Sequence, residues 1–214
     1  SGGKYVDGTF GGRSRAEALL ERSVPAGKVF SFDIYPEAIS RAERRLARYG
    51  SRWRPICSNF NRWGDALRSL GVAGIDGMLL DLGFSSDELE DPLVGISFQQ
   101  DGVLDMRLGP QANEDGVTAA EIVNTWSPQD LAQIFEEYAD ERYAWRIASG
   151  ITEARRAAPI VTTRQLAEVV AANVPASYEA GRIHPATRVF LALRMEVNQE
   201  LPNLRDAIDQ AFDI

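Results

Sequence analysis

Over its first 82 residues the chain alternates short apolar runs with helical patterns, and this alternation limits the possible folds more than any other feature. Strands are expected at Tyr5 to Asp7, Lys28 to Asp33, Arg54 to Cys57 and Ile75 to Leu82. Helices are expected between them, at Ser14 to Arg22, Pro36 to Tyr49 and Asn61 to Leu70. Pro36 suits a first helical position, where a missing N–H removes no bond. Strands separated by helices at this spacing imply an α/β fold, a parallel sheet with helices on both faces.

From about Thr118 the pattern changes to consecutive helices: Thr118 to Thr125, Pro128 to Tyr138, Asp140 to Arg156 and Thr163 to Asn173. A long amphipathic helix, His184 to Phe212, then returns to the sheet, with a break expected near Pro202. The expected organisation is a sheet-bearing core of residues 1–110 and 184–214, interrupted by an all-helical insertion of residues 111–183. Little precedes the first strand, and the last helix stops where doubly wound sheets normally add another strand. The sheet is therefore expected to be incomplete at both ends.

Composition narrows the function. No run of some 18 apolar residues is present to span a membrane, and no signal-peptide pattern stands at the N-terminus. Cys57 is the single cysteine, so there is no internal disulfide, and with His184 as the single histidine a conventional His/Cys zinc site is excluded. No metal is expected. The net charge of −8 argues against a non-specific nucleic-acid binder. It leaves room for an enzyme that meets RNA through a local basic patch.

Four constellations carry candidate chemistry. The first is Asp7-Gly8-Thr9-Phe10-Gly11-Gly12-Arg13-Ser14, a strand that runs into a glycine turn and a helix N-terminus. Glycines allow close backbone approach by a ligand, and a helix end offers free N–H groups. Asp33 ends the next strand 21 residues after Gly12, where an acid can hold ribose hydroxyls or can merely cap a helix. The turn is short, with no GxGxxG and no Walker lysine, which favours an adenosine ligand without a pyrophosphate, S-adenosylmethionine over a dinucleotide. Phe60 can pack on the adenine or fill the core.

The second is Asp81 with Ser85 and Ser86. Asp81 lies at a strand end, where open α/β sheets place ligand chemistry, or it caps the following turn. The third is the loop Asp101 to Arg107, in which Asp101, Asp105 and Arg107 either shape the loop or grip a phosphate. His184 opens the last helix as a neighbour of its cap or faces the cleft. The fourth is a set of arginines in the helical part. Arg142 and Arg146 lie one turn apart on one face, which is an RNA-facing patch or a solvated surface.

These segments resemble the small-subunit ribosomal RNA cytosine-N4 methyltransferases (RsmH, formerly MraW). The carriers are YVDGTFGG at Tyr5 to Gly12, FDIYPEAI at Phe32 to Ile39, LLDLGFSS at Leu79 to Ser86 and GISFQQDGVLDMRL at Gly95 to Leu108. TAAEIVNT at Thr118 to Thr125, TTRQLAEVV at Thr162 to Val170 and HPATRVFLALRMEVNQEL at His184 to Leu201 complete the set. The resemblance runs from Tyr5 to about Leu204.

The resemblance implies a class I, Rossmann-like S-adenosylmethionine-dependent methyltransferase sheet with a helical insertion. It implies methyl transfer to N4 of a cytidine in the decoding centre of small-subunit ribosomal RNA. By similarity Gly11, Gly12 and Arg13 lie at the methionine end of the cofactor, Asp33 at the ribose, Phe60 near the adenine and Asp81 beside the cofactor. Glu88 takes another cofactor-contacting position, and Asp7 belongs to the same turn. Asp81, Ser85 and Ser86 are the expected catalytic lip, with Asp101, Asp105 and His184 as further candidates. Arg107, Arg142, Arg146 and Arg188 are the expected RNA contacts.

The chain departs from the family at its shortened glycine turn, where Arg13 replaces a histidine, and at Glu88, which replaces a glutamine. The family's segment after the last helix is absent. The shortened glycine turn, Arg13, Glu88 and the acidic balance motivate an alternative, a non-catalytic homologue that acts as a small-subunit ribosome assembly factor. A small-molecule methyltransferase is a third reading, and it leaves the helical insertion unexplained. Expected partners are the ribosomal RNA or its assembling particle, other assembly factors and a second copy as a homodimer. The expected location is the cytoplasm in a bacterium or the mitochondrial matrix in a eukaryote.

Overall fold

The computed structural model describes residues 2–11, 15–84, 86–109, 112–113, 115–178 and 183–212, with backbone alone at 86 and 87. The chain divides into two compact units, Ser1–Gly83 with Glu200–Ile214, and Phe84–Gln199. The second unit extends beyond the expected insertion of residues 111–183 at both ends. The reason is apolar burial: Ile96, Leu104, Met106 and Leu108 before it, and Val189, Phe190 and Leu193 after it, lie in the helical core.

The first unit is a four-stranded parallel sheet in the order β3-β2-β1-β4. Its strands are β1 (Lys4–Asp7), β2 (Lys28–Asp33), β3 (Trp53–Cys57) and β4 (Gly77–Leu79). β4 is shorter than the expected Ile75 to Leu82. β1 pairs with it only through Tyr5–Gly77, Val6–Met78 and Asp7–Leu79, then turns away after Gly8. No partner strand on that side remains for residues 80–82 among the described residues.

Side chains of successive strand residues leave opposite faces, and each face has its own core. On one, Val29 and Trp53 pack with Ala16 and Leu20 of α1 (Arg15–Arg22) and Ala42 and Leu46 of α2 (Pro36–Leu46). On the other, Val6, Phe30 and Phe32 pack with Trp63 and Leu67 of α3 (Trp63–Ser69) and Ala207 of α10 (Glu200–Ala211). Trp63 is fully buried, and its indole N–H donates to the Ala207 carbonyl at 2.8 Å. Asn61 and Gly64 donate to Asn203 and Gln210, so polar groups align the last helix against α3.

The second unit contains α4 (Ser86–Glu90), α5 (Ala119–Thr125), α6 (Pro128–Ala139), α7 (Ala144–Ala157), α8 (Thr163–Ala172) and α9 (Thr187–Val197). Three of these helices start where side chains satisfy free N–H groups. Thr118 caps α5, Ser127 caps α6, and Thr162 with Gln165 forms a capping box on α8. The expected helix from Asp140 instead starts at Ala144. Asp140 takes a left-handed conformation, and the buried Glu141 carboxylate accepts from the Tyr143 backbone and the Tyr178 hydroxyl, which holds a corner.

The expected helix His184 to Phe212 is also two, α9 and α10. The break falls at Asn198 and Gln199, where Gln199 has φ 50°, rather than at Pro202. Pro202 is the third residue of α10, within the first turn, whose N–H groups have no intrahelical acceptor. Asn198 is buried and ties the loop before α5 to α9. Its side chain accepts from Leu108 N–H at 2.7 Å and donates to the carbonyls of Met106 and Arg194. None of the described helices is long and apolar enough to cross a membrane.

Asn198→Ala strands the Leu108 N–H and the Met106 carbonyl in the core. The expected cost is about 2–3 kcal/mol. It is measured as a lower urea midpoint with faster amide exchange at Leu108. Unchanged exchange there would contradict this role.

Candidate active site

Parallel strands bring their C-terminal ends to one edge of a sheet. The strand order places β1 between β2 and β4, the point where connections change direction and where open α/β sheets form a crevice. Asp7 ends β1 and Asp33 ends β2, and Asp81 follows β4 by two residues. Asp7 is fully buried, and neither of its carboxylate oxygens has a hydrogen-bond partner. Burial is the main cause that pushes its carboxyl up from 3.8 to about 6. The Thr9 backbone N–H, short of full hydrogen-bond geometry, and the Arg15 charge lower it in part; Asp33 and Asp81 raise it.

The glycine turn folds over these acids. A Cβ on Gly8 would stand 2.5 Å from Leu80 Cδ2 and 3.1 Å from Phe60 Cβ, so a side chain there would push both neighbours outward. Gly11, at φ 55°, donates its N–H to Asp33 Oδ2 at 2.9 Å, and Tyr35 N–H donates to Oδ1 at 2.8 Å. The Asp33 carboxylate is thus fixed in direction by two backbone N–H groups. Phe60 is half-buried and packs against the core formed with Phe30 and Trp63, as the first residue of a short 3₁₀ turn. Asp81 is exposed. It makes an ion pair with Arg15, and its backbone N–H donates to Thr9 Oγ1 at 2.7 Å. Gly12, Arg13 and Ser85 lie outside the described residues, as does the side chain of Ser86.

In the second unit several candidates are committed to the fold. Asp105 holds Arg107 through two contacts of 2.7 Å. Burial raises the Asp105 carboxyl, and the Arg107 hydrogen bonds and charge more than offset it, leaving it below its usual range. Asp101 accepts from the Arg164 backbone N–H at the start of α8; Thr162 and that contact lower its carboxyl. Arg188 donates to the Ala139 carbonyl at 2.7 Å and so joins α9 to the end of α6. His184 accepts the Ala186 N–H on Nδ1 and lies against Phe98, with ring centroids 4.6 Å apart. That contact leaves Nε2 as its proton-bearing nitrogen when neutral. Glu88 is half-buried on α4. Arg142 and Arg146 are exposed, but they do not share a helix face as expected: α7 starts at Ala144, so Arg142 lies in the turn before the helix that carries Arg146.

Thr9 and Arg15 are missing from the sequence-based candidates, although both contact Asp81. Thr9 was available to sequence reasoning as the hydroxyl inside the glycine turn. Arg15 carries no such signal, since its partner is 66 residues away along the chain. Among the described residues no three His, Cys, Asp or Glu side chains group so as to hold a metal ion.

A Rossmann-like sheet with acids at neighbouring strand ends around a glycine turn defines the class: an α/β protein built to hold a ligand beyond its strand tips. The profile of the MraW methylase family matches residues 1–214, and the chain belongs to that family. It is 47% identical over 213 residues to ribosomal RNA small subunit methyltransferase H of Thermomicrobium roseum, covering 100% of this chain and 64% of that protein. It is 47% identical over 208 residues to the protein of the same name from Syntrophotalea carbinolica, covering 97% and 65%. The namesake from Geobacter sulfurreducens is 44% identical over 213 residues, covering 100% and 68%. The chain thus spans about two thirds of the length of these relatives.

Asp7 binds its proton more tightly in the folded than in the unfolded chain. Its contribution to stability is therefore full below about pH 3.8 and is lost as pH rises through about 6. The difference amounts to about 3 kcal/mol. Relative to Asp7→Asn, the native protein should lose stability by up to that amount between pH 4 and pH 7 in urea titrations. Parallel pH profiles for the two would contradict the burial of an ionisable Asp7.

Proposed function

We propose that this chain is the core of an enzyme that transfers a methyl group from S-adenosylmethionine to N4 of a cytidine in the decoding centre of small-subunit ribosomal RNA. The relatives' name supports ribosomal RNA of the small subunit as the substrate. The observation that carries the cofactor reading is the set of acids around the glycine turn, with Asp7 buried and unpartnered. A buried carboxylate without a partner is costly, and a ligand bearing an ammonium or sulfonium charge relieves that cost. The residues present therefore fit this cofactor. S-adenosylmethionine, when bound, supplies an electrophilic methyl group.

The chain's own residues then have separable tasks. Asp33, held by Gly11 and Tyr35, takes the ribose hydroxyls. Gly11 with Gly12 and Arg13 borders the methionine end, where Asp7 balances positive charge. Phe60 offers a face to the adenine, and Glu88 contributes a further cofactor contact. Cytosine N4 is a poor nucleophile because its lone pair is delocalised into the ring, so fixing it in line with the methyl supplies much of the rate. Asp81 with the Ser85-Ser86 turn accepts hydrogen bonds from the amine and sets that direction. The target base leaves its stack to reach the lip. The reaction runs in the bacterial cytoplasm or, in a eukaryote, in the mitochondrial matrix.

Calorimetric titration with S-adenosylmethionine tests the reading. Micromolar binding is expected, weakened at least about tenfold in Asp33→Ala, together with transfer of labelled methyl to immature small subunits. Folded protein that binds immature subunits without binding the cofactor would replace this reading with the assembly-factor one, which Arg13 and Glu88 motivate.

A further inference from the structure

The arginines of the helical unit differ sharply in what they hold. Arg107 grips Asp105, Arg164 meets Asp101, and Arg156 pairs with Glu153. Arg155 and Arg188 donate to the carbonyls of Val123 and Ala139, and Arg194 lies over the Phe84 ring at 5.1 Å. Lysine is absent from the unit. Among the described residues this leaves Arg142 and Arg146 as its two uncommitted cations. Between them stands Trp145, 53% exposed, its most solvent-open aromatic side chain.

Arg142 lies in the turn before α7, and Trp145 and Arg146 lie in the first turn of that helix, so three exposed side chains fall within five residues of chain. The corner is tied by side chains. The buried Glu141 carboxylate accepts from the Tyr178 hydroxyl at 2.9 Å and from Tyr143 N–H at 2.8 Å, and the Tyr143 and Tyr178 rings meet edge to face at 5.0 Å. Ala144, Ile147 and Ala148 anchor the opposite side of α7 in the core. Glu153, further along the helix, is neutralised by Arg156.

We infer that this face is a stacking platform for single-stranded RNA: the Trp145 indole receives an unpaired base, and Arg142 and Arg146 take phosphates on either side. The inference rests on the proposed RNA substrate and names where the helical unit meets it. An indole in water between two free guanidiniums fits a strand that offers flat bases and regularly spaced anions. A purely apolar protein partner leaves both charges unmatched. With two phosphates neutralised, the salt dependence is shallow, about −1.4 in log K against log salt for a single strand.

The test is anisotropy of a fluorescein-labelled single-stranded RNA of decoding-region sequence, titrated with the 214-residue chain and its variants, with S-adenosylmethionine affinity measured alongside. Trp145→Ala should weaken RNA binding at least about fivefold, while Trp145→Phe, which keeps a π face, restores most of it. Arg142→Ala and Arg146→Ala should each flatten the salt slope by about 0.7. Cofactor affinity should stay unchanged in all four, since none lies among the residues assigned to the cofactor. Native protein that binds RNA as tightly as Trp145→Ala does would overturn the platform and leave the proposed function standing. A Trp145→Ala defect seen only with protein-bearing subunits, and not with naked RNA, would assign the face to a ribosomal protein and overturn it too. Native protein that binds neither RNA nor cofactor would remove the proposed function itself.

Discussion

Parallel pairing of β1 with β2 on one side and with β4 on the other is the constraint from which the site follows. The registers Asp7–Ser31 and Asp7–Leu79 bring Asp7, Asp33 and Asp81 to the same end of the sheet. Like charges gathered there repel, and the fold answers with three different environments. Asp33 is directed by two backbone N–H groups, and Asp81 is countered by Arg15. Asp7 is left buried, without a hydrogen bond, and with its carboxyl pushed up to about 6. A chain that keeps an acid in such a place sacrifices stability near neutral pH, a pattern common at functional sites.

The helical unit solves a different problem. Its long loop before α5 would be costly as free chain, and it is fastened by side-chain amides instead. Asn198 holds residues 106 and 108, and Asn113 bridges Val117 and Val197. Asn124 of α5 fastens the segment before α8 in the same way, holding Ile160 on both its N–H and carbonyl sides. Asp105 and Arg107 close the same loop with an ion pair. The acids and arginines of this segment thus serve the loop's shape, whereas Arg142 and Arg146, beside Trp145, are exposed at the start of α7.

Much of the architecture was legible because it depends on local pattern. β2 keeps its expected bounds, Lys28–Asp33, since a buried, mostly apolar run, Val29 to Phe32, that ends in an acid suits a strand of a parallel sheet. What the sequence hid depends on distant partners. The corner at Glu141 needs Tyr178, 37 residues on, and the break after α9 reflects the left-handed Gln199 rather than the visible proline. In the candidate site the strand-end acids could be located from spacing alone. Their neighbours could not: Arg15 against Asp81, and the burial that leaves Asp7 unpaired, arise only when β1 and β4 lie side by side.

On the proposed function, Asp7, partly protonated near pH 6, is the group that a positively charged ligand meets. Calorimetry of S-adenosylmethionine binding in buffers of different ionisation enthalpy measures it directly, by counting protons exchanged on binding. Release of about half a proton near pH 6, fading toward pH 8 and absent in Asp7→Asn, is the expected result. Binding that releases no proton at any pH, or that releases the same number in Asp7→Asn, would remove Asp7 from the ligand site.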